Sequence, residues 1–405
     1  MSLWKTVPFW TVARRVERTG VPDARLLSVY RDWGVVPKDS RDGNFNRASE
    51  DLSNYKIVHP GDLVLNKMKT WQGSLGVSDY NGIVSPAYFV CELGPSVNGR
   101  YLHHLLRSQA MIAAFRANSK GIRPNQWDLP YEVLHDIPLP MPPLEEQRRI
   151  ADFLDDRVAR IDQIIAARQQ QVRHADRARI SLVDSVLTPA HPSGMTRLGR
   201  LATIQSGLTV DEKRSNASGG DCYPYLRVAN VQAGGLDLAE IKTVVAEEAL
   251  AKRCTLRPGD VLMTEGGDLD KLGRGTVWHG EISPCLHQNH VFAVRPAREL
   301  LVADYLALYT QSSAARSYFE RTGSKTTNLA STSASKVMAL PIPFVPISEQ
   351  RDLASECQNQ LAAVDAGVTA LISAVSLLQE YKQSLITAAV TGKFDVATAS
   401  TKIPE

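Results

Sequence analysis

The feature that most constrains this chain is an internal repeat about 200 residues long. Four blocks of sequence return in the same order at offsets of 198 to 203 residues: 26–29 near 225–228, 59–65 at 257–263, 82–86 at 280–284 and 137–148 at 340–351. Four matches in one register indicate a duplication, and self-similarity of this kind fixes architecture before any local pattern does. We therefore expect one structural unit, used twice.

Each repeat predicts a globular part of mixed α and β structure. Pro-Gly-Asp at 60–62 and at 258–260 is a turn sequence, and β-prone runs follow it at 63–65 and 261–263. Residues 87–90 and 291–294 predict further strands. Residues 101–117 and 304–320 have apolar side chains at helical spacing, so each globular part also contains helix.

A long helix is predicted after each globular part. Proline-rich segments at 138–143 and 341–346 end what precedes them, and Ser348 is a suitable N-cap residue. No proline follows over about 145–187 or 349–391. At 1.5 Å per residue, each helix would be roughly 60–65 Å long.

The two helices are predicted to pair. Apolar residues recur every seven positions in the second helix at 357, 364, 371, 378 and 385, and the first helix has the same pattern from Leu154, with Arg168 and Arg179 interrupting it. A seven-residue repeat gives a left-handed coiled coil. Pairing of duplicates about an approximate two-fold axis would make the helices antiparallel. The alternative is that each helix packs on its own globular part.

The predicted fold class is α+β, with an internal pseudo-two-fold repeat: two globular mixed α/β domains separated by two long antiparallel helices that form a coiled coil. The predicted domains are 1–144, the central helix 145–188, 189–347, and the C-terminal helix and tail 348–405. A net charge of +3 neither requires nor excludes nucleic acid. Five cysteines without a C-x-x-C pattern fit a reducing compartment, and no apolar run approaches membrane-spanning length, so we expect a cytoplasmic protein without membrane contact.

Catalytic signatures are sparse. The sequence has no P-loop, no G-x-G-x-x-G after a strand and no motif of the amino-methyltransferases. Cys285, His287 and His290 resemble a metal cluster, but their spacing matches no zinc pattern and strand residues are the simpler interpretation. Asp260 and Glu265 with Lys271 weakly suggest a nuclease, although the other repeat keeps Pro-Gly-Asp and then has Asn66 and Lys67 instead of an acid.

Several segments resemble the specificity subunits of type I restriction-modification enzymes. The segments 138–151 (Pro-Leu-Pro-Met-Pro-Pro-Leu-Glu-Glu-Gln-Arg-Arg-Ile-Ala) and 341–354 (Pro-Ile-Pro-Phe-Val-Pro-Ile-Ser-Glu-Gln-Arg-Asp-Leu-Ala) are similar to the starts of that family's two conserved helices. Residues 385–396 look like its closing signature. In the first half, 66–71 and 82–88 resemble one class of target recognition domain.

The resemblance implies a division of labour. Each globular part would be a target recognition domain that reads one half of a split target in double-stranded DNA, and the helices would hold the halves about one DNA turn, ~34–36 Å, apart. Two modification subunits, which bind S-adenosylmethionine and methylate adenine N6, would dock on this chain, and restriction subunits with an ATP-driven translocase would complete the nuclease. The chain itself would have no cofactor, no metal and no catalytic residue.

Base reading requires side chains that reach base edges, framed by phosphate contacts. Polar or basic stretches between predicted elements supply the candidates, which are Lys67, Lys69, Trp71, Gln72, Asn118, Ser119, Lys120, Arg123 and Asn125 in the first half, and Lys271, Arg274, Ser324, Lys325, Thr326, Thr327 and Asn328 in the second. The two halves match poorly at these stretches, as two different half-sites would require.

Three other functions stay open. The chain could serve a related methyltransferase system that lacks the ATP-driven nuclease. It could be a coiled-coil adaptor with two binding lobes and no affinity for DNA. It could also be a self-sufficient methyltransferase, which would bind S-adenosylmethionine alone.

Overall fold

The computed structural model describes residues 4–21, 23–31, 33–40, 49, 51–121, 127–187, 194–210, 220–267, 272–325 and 330–397. The chain divides into two compact units. Unit 1 comprises Met1–Gln169 with Ser373–Glu405, and unit 2 comprises Gln170–Ile372. Each unit thus combines one globular part with a portion of both long helices. The finer division into four domains stays a prediction.

The described residues contain nine α-helices, including those predicted in each repeat. They are α1 (Gly99–Leu106), α2 (Gln109–Asn118), α3 (Tyr131–His135), α4 (Leu144–Leu187), α5 (Glu248–Cys254), α6 (Ala303–Tyr309), α7 (Ser313–Thr322), α8 (Ala334–Met338) and α9 (Ile347–Val390).

Unit 1 is built on a four-stranded antiparallel sheet. The strands of the whole unit are β1 (Thr6–Pro8), β2 (Ala13–Val16), β3 (Leu27–Tyr30), β4 (Gly34–Pro37), β5 (Lys56–Val58), β6 (Leu63–Asn66), β7 (Leu75–Val77), β8 (Gly82–Val84), β9 (Tyr88–Leu93) and β10 (Pro138–Pro140). The sheet has the order β2-β9-β6-β7, with Val64 opposite Val90. Two-stranded sheets form from β3 with β4, β5 with β8, and β1 with β10.

Unit 2 repeats this sheet and adds to it. Its strands are β11 (Met195–Arg197), β12 (Ala202–Ser206), β13 (Asp221–Leu226), β14 (Val231–Gln232), β15 (Gly235–Leu236), β16 (Lys242–Ala246), β17 (Val261–Thr264), β18 (Gly266–Gly267), β19 (Gly275–Val277), β20 (Leu286–His287), β21 (Val291–Pro296), β22 (Ser324–Lys325), β23 (Ala330–Ser331) and β24 (Pro341–Pro343). The order β12-β21-β17-β19 matches that of unit 1. Two three-stranded sheets, β16-β13-β20 and β18-β23-β22, are additional.

The helical structure predicted at 101–117 and 304–320 is present, and each range contains two helices. The breaks fall at Ser108 and Ser312, whose hydroxyls accept backbone N–H bonds at the starts of α2 and α7. A serine N-cap in extended conformation begins a new helix where an apolar period alone predicts a continuous one.

The long helices begin and end within two residues of their predicted bounds. Ser348 lies inside the first turn of α9 rather than at its N-cap, because the Gln350 N–H already donates to the Pro346 carbonyl. The positions of the predicted heptad are buried or half-buried along α9. The predicted coiled-coil seam is therefore the packed side of the helix.

Within each unit the two helices run antiparallel. In unit 1, Lys382 donates to Asp162 at 2.6 Å, and the Phe153 and Phe394 rings lie 5.7 Å apart. In unit 2, Arg179 is paired with Asp365, while Val183 shares a core with Cys357. The partner's number falls as the helix number rises in both units, which confirms the antiparallel prediction.

One described helix departs from the expectation of no membrane-length segment. By length and composition alone, α9 could cross a membrane, because an 18-residue stretch of it has a mean hydropathy of 2.0. Only 6% of that stretch is buried. The stretch contains the coiled-coil seam and also further apolar side chains that are exposed. This exposed apolar surface needs an explanation.

Candidate nucleic-acid interface

The glutamine of the repeated Glu-Gln-Arg sequence fastens each long helix to its globular part. Gln147 accepts from the Asn98 N–H at 2.8 Å and donates to the carbonyls of Ser96 and Pro142 at 3.2 and 2.9 Å. Gln350 repeats all three bonds in unit 2, with Val302, Leu300 and Val345 at 2.9 Å each. Both side chains are buried. The motif is thus a structural clamp.

We expect Gln350→Ala to lower the free energy of unfolding by about 1–3 kcal/mol, because truncation leaves the Val302 N–H and two carbonyls without their buried partner. Urea unfolding followed by circular dichroism measures the change. Gln360→Ala, at an exposed position of the same helix, is the control. A variant as stable as that control would show that the clamp contributes nothing.

Pro-Gly-Asp is also structural in both units. Its glycines, Gly61 and Gly259, have φ values of +92° and +94°, a conformation that favours glycine. Asp62 is paired with Arg18 and accepts from the His59 N–H at 2.7 Å. Asp260 accepts two bonds of 2.7 Å from Arg295. The carboxylate considered for a nuclease is therefore the buried partner of an arginine.

The residues of the metal-like cluster have different environments. His287 is fully buried and its Nδ1 lies 2.6 Å from the Val291 carbonyl, and burial lowers its pKa. Burial raises the pKa of Cys285 to about 12, so the thiol is protonated at neutral pH. His290 is instead exposed and lies 2.5 Å from Glu265. Among the described residues no group of three or more His, Cys, Asp or Glu side chains could hold a metal ion.

In unit 1 the structure brings together the two stretches predicted to read DNA. The Lys67 carbonyl accepts from the Leu129 N–H at 3.0 Å. Lys120 and Asp128 exchange two backbone hydrogen bonds of 2.9 Å, and the Lys67 ammonium lies 3.9 Å from the Asp128 carboxylate. Lys69 and Lys120 are exposed, and Gln72 is half-buried. Arg123 and Asn125 lie outside the described residues.

Three further predicted residues of unit 1 have side-chain hydrogen bonds within the protein. The Trp71 indole donates to the Met68 carbonyl at 3.1 Å and its ring lies 5.3 Å from that of Trp127. Asn118 and Ser119 each donate at 2.8 Å to a carbonyl four residues earlier in α2. These contacts shape the loop, and their role toward DNA stays a prediction.

A groove of about 660 Å³ adds residues that the sequence reasoning missed. Lys69 and Gln72 line it together with Arg31, Trp33 and Lys38 of the β3–β4 hairpin. Trp33 is 56% exposed. The signal that the sequence offered for these residues was a tryptophan two positions after an arginine. Pairing of β3 with β4 is what places this turn at the groove.

Unit 2 has the same arrangement with different side chains. The Thr332 N–H donates to the Glu265 carbonyl at 2.7 Å, the counterpart of the Leu129–Lys67 bond. Strand β23 joins β18 to β22, so the glycine-rich segment lies beside the predicted Ser324. The Ser324 hydroxyl accepts from Lys336 at 3.1 Å, and Arg274 is half-buried. Outside the described part are Lys271, Thr326, Thr327, Asn328 and the side chain of Lys325.

Comparison with known proteins gives one consistent family. Residues 50–174 match the model of the type I restriction modification DNA specificity domain. The chain is 26% identical to the EcoKI specificity subunit of Escherichia coli K12 over 71% of its length, and 22% identical to the StySPI specificity subunit of Salmonella potsdam over 96%. Over most of its length the chain is therefore similar to type I restriction-modification specificity subunits.

Solved structures agree with this fold. A chain from a type I restriction-modification system matches with a TM-score of 0.72 at 19% identity, covering 96% of this chain and 98% of the other. The HsdS subunit of Thermoanaerobacter tengcongensis matches with a TM-score of 0.50 at 18% identity, covering 96% and 97%. The EcoKI alignment spans 63% of that relative's length.

The two units share some of these contacts and differ in others. The glutamine clamp and the turn aspartate occur in both units. The polar loops do not repeat, since Lys67 of unit 1 and Glu265 of unit 2 accept equivalent backbone bonds but have side chains of opposite charge. The frame is therefore duplicated and the polar surface on it is not.

Proposed function

We propose that this chain is the DNA-recognition subunit of a type I restriction-modification complex. Each globular part reads one half of a bipartite duplex target, and the helices set the distance between the halves. The observation that supports this most is the duplicated frame with unlike polar loops, because a split target needs two different readers held by one support. The similarity to specificity subunits points to the same function.

Mapping of adenine methylation in a host that expresses this chain with its modification subunit tests the proposal. We expect one methylated motif made of two short sequences separated by a fixed gap. Duplex binding by the purified complex should be tighter for that motif and should weaken as salt rises. Equal binding to all duplexes at every salt concentration, with no methylated motif, would favour the coiled-coil adaptor.

The chain is proposed to be non-catalytic, with the chemistry on its partners. Calorimetry of the isolated chain with S-adenosylmethionine should give no heat of binding, whereas a self-sufficient methyltransferase would bind it. Restriction subunits are proposed to join the same complex, and purification with native partners separates this from a system without the nuclease. We propose that the assembly is cytoplasmic.

The exposed apolar surface of α9 supports docking of the modification subunits. Leu377 and Tyr381, four residues apart on α9, are 65% and 38% exposed. Apolar side chains of this size grouped on a soluble surface mark partner sites. A family whose members assemble into complexes accounts for this surface better than a membrane does.

We expect Leu377→Arg to weaken binding of the modification subunit by about tenfold or more, because a charge would replace an apolar anchor. Co-purification followed by titration measures the affinity. Glu380→Gln, an exposed change one turn away, is the control. Unchanged affinity of Leu377→Arg would place the docking surface elsewhere on the chain.

A further inference from the structure

A cleft of about 530 Å³ in unit 2 collects charged side chains from several elements. Four of them are arginines: Arg177 and Arg179 of α4, Arg274 before β19, and Arg316 of α7. Asp176 and Asp365 also line the cleft, and Asp365 is the partner of Arg179. Ile180 and Val183 contribute an apolar floor. Four guanidinium groups against two carboxylates leave the cleft basic.

The arginines of this cleft are not part of the duplicated frame. When the helices and strands of the two units are aligned, three of the arginines have non-basic counterparts in unit 1. Glu380 corresponds to Arg177, Ser74 to Arg274 and Ile112 to Arg316. The pairing of Arg179 with Asp365 does have a counterpart, in Lys382 with Asp162. A contact needed for folding would be expected in both units, so the other three arginines indicate a role confined to unit 2.

Guanidinium groups suit one class of ligand. Arginine binds phosphate through two parallel N–H bonds, and its charge persists at any physiological pH. Arg274 also lies three residues after Lys271, within the glycine-rich segment predicted to face DNA. Arg274 is itself one of the residues predicted to bind DNA, so the cleft shares a residue with the proposed reading surface of unit 2.

We propose that this cleft binds the phosphodiester backbone of the target duplex and anchors unit 2 on DNA without regard to sequence. The inference rests on the proposed function and names the residues that position one reader. Arg177 and Arg316 would make phosphate contacts, while Arg179 is held by its carboxylate. Unit 1, which has neutral or acidic residues at the matching positions, would be positioned by other contacts.

The test measures duplex binding by the complex of this chain with its modification subunits over a range of salt concentrations. Arg177→Gln and Arg316→Gln should each lower the slope of log affinity against log salt by about one, with equal loss for target and unrelated duplexes. Arg177→Lys should restore the slope, because lysine keeps the charge. Arg298→Gln, an exposed arginine of unit 2 outside the cleft, should leave it unchanged.

The outcomes separate the two proposals. A wild-type complex that binds no duplex would overturn the proposed function. A wild-type complex that binds, with variants of unchanged slope, would overturn the cleft assignment alone. Calorimetry with inorganic tripolyphosphate covers the other source of phosphate. Loss of its binding in the variants, with the duplex slope intact, would assign the cleft to a free phosphate ligand and also overturn the inference.

Discussion

Replacing Asp260 with alanine is expected to lower the free energy of unfolding of unit 2 by about 2–4 kcal/mol, since it leaves the half-buried Arg295 guanidinium and the Arg257 N–H without the carboxylate that both bind. The Asp260 side chain is 1% exposed, and Arg295 donates to both of its oxygens at 2.7 Å. It also accepts from the Arg257 N–H at 2.9 Å, which holds the turn before β17. The substitution therefore removes an ion pair and a turn contact together.

Trp278 provides the local measurement. It is the single tryptophan in the sequence of residues 170–372 and is buried. It lies beside this turn, because its backbone N–H donates to the Asp260 carbonyl at 2.8 Å. Fluorine NMR of chain labelled with fluorotryptophan would follow unit 2 separately during urea unfolding. Glu299→Ala, an exposed acid of the same unit, is the control. A loss below about 1 kcal/mol would mean that the pair is as weak as a surface salt bridge.

The frame of this protein could be predicted from its sequence because local chemistry determines it. Proline-rich stops define where α4 and α9 begin, and the heptad defines their packed side. Pro-Gly-Asp forms a turn directly before a strand in both repeats, because its glycine tolerates a positive φ. These signals occur twice, so each interpretation of one repeat is checked by the other.

The proposed reading surfaces could not be predicted in the same way as the frame. Residues 67–72 and 118–120 lie together because Leu129 bonds to the Lys67 carbonyl, a contact between segments about 60 residues apart. Arg31 and Trp33 reach the groove through the pairing of β3 with β4. Trp71 was assigned to DNA from its type, and only packing shows that its ring lies against Trp127. Reading surfaces depend on such tertiary contacts.

Changing Lys69 and Gln72 together to alanine is expected to relax recognition of one half-site while leaving the other intact. Both residues line the groove of unit 1, and Lys69 is exposed. Lysine on guanine or glutamine on adenine contributes about 1–3 kcal/mol of discrimination each. Loss of both contacts should therefore reduce the preference for the correct half-site by about 30-fold or more.

Competition binding of the complex against duplexes altered in one half-site at a time measures this preference. Lys5→Ala, an exposed lysine of unit 1 outside the groove, controls for the loss of charge. A loss confined to one half-site would identify base contacts, and an equal loss for every duplex would make these side chains phosphate contacts. Wild-type discrimination in the double variant would move the reader to the other groove residues, Arg31, Trp33 and Lys38. Because the clamp of Gln147 is remote from these side chains in sequence and bonds to 96–98 and 142, the variant should keep the frame, so any change in specificity can be attributed to the groove itself.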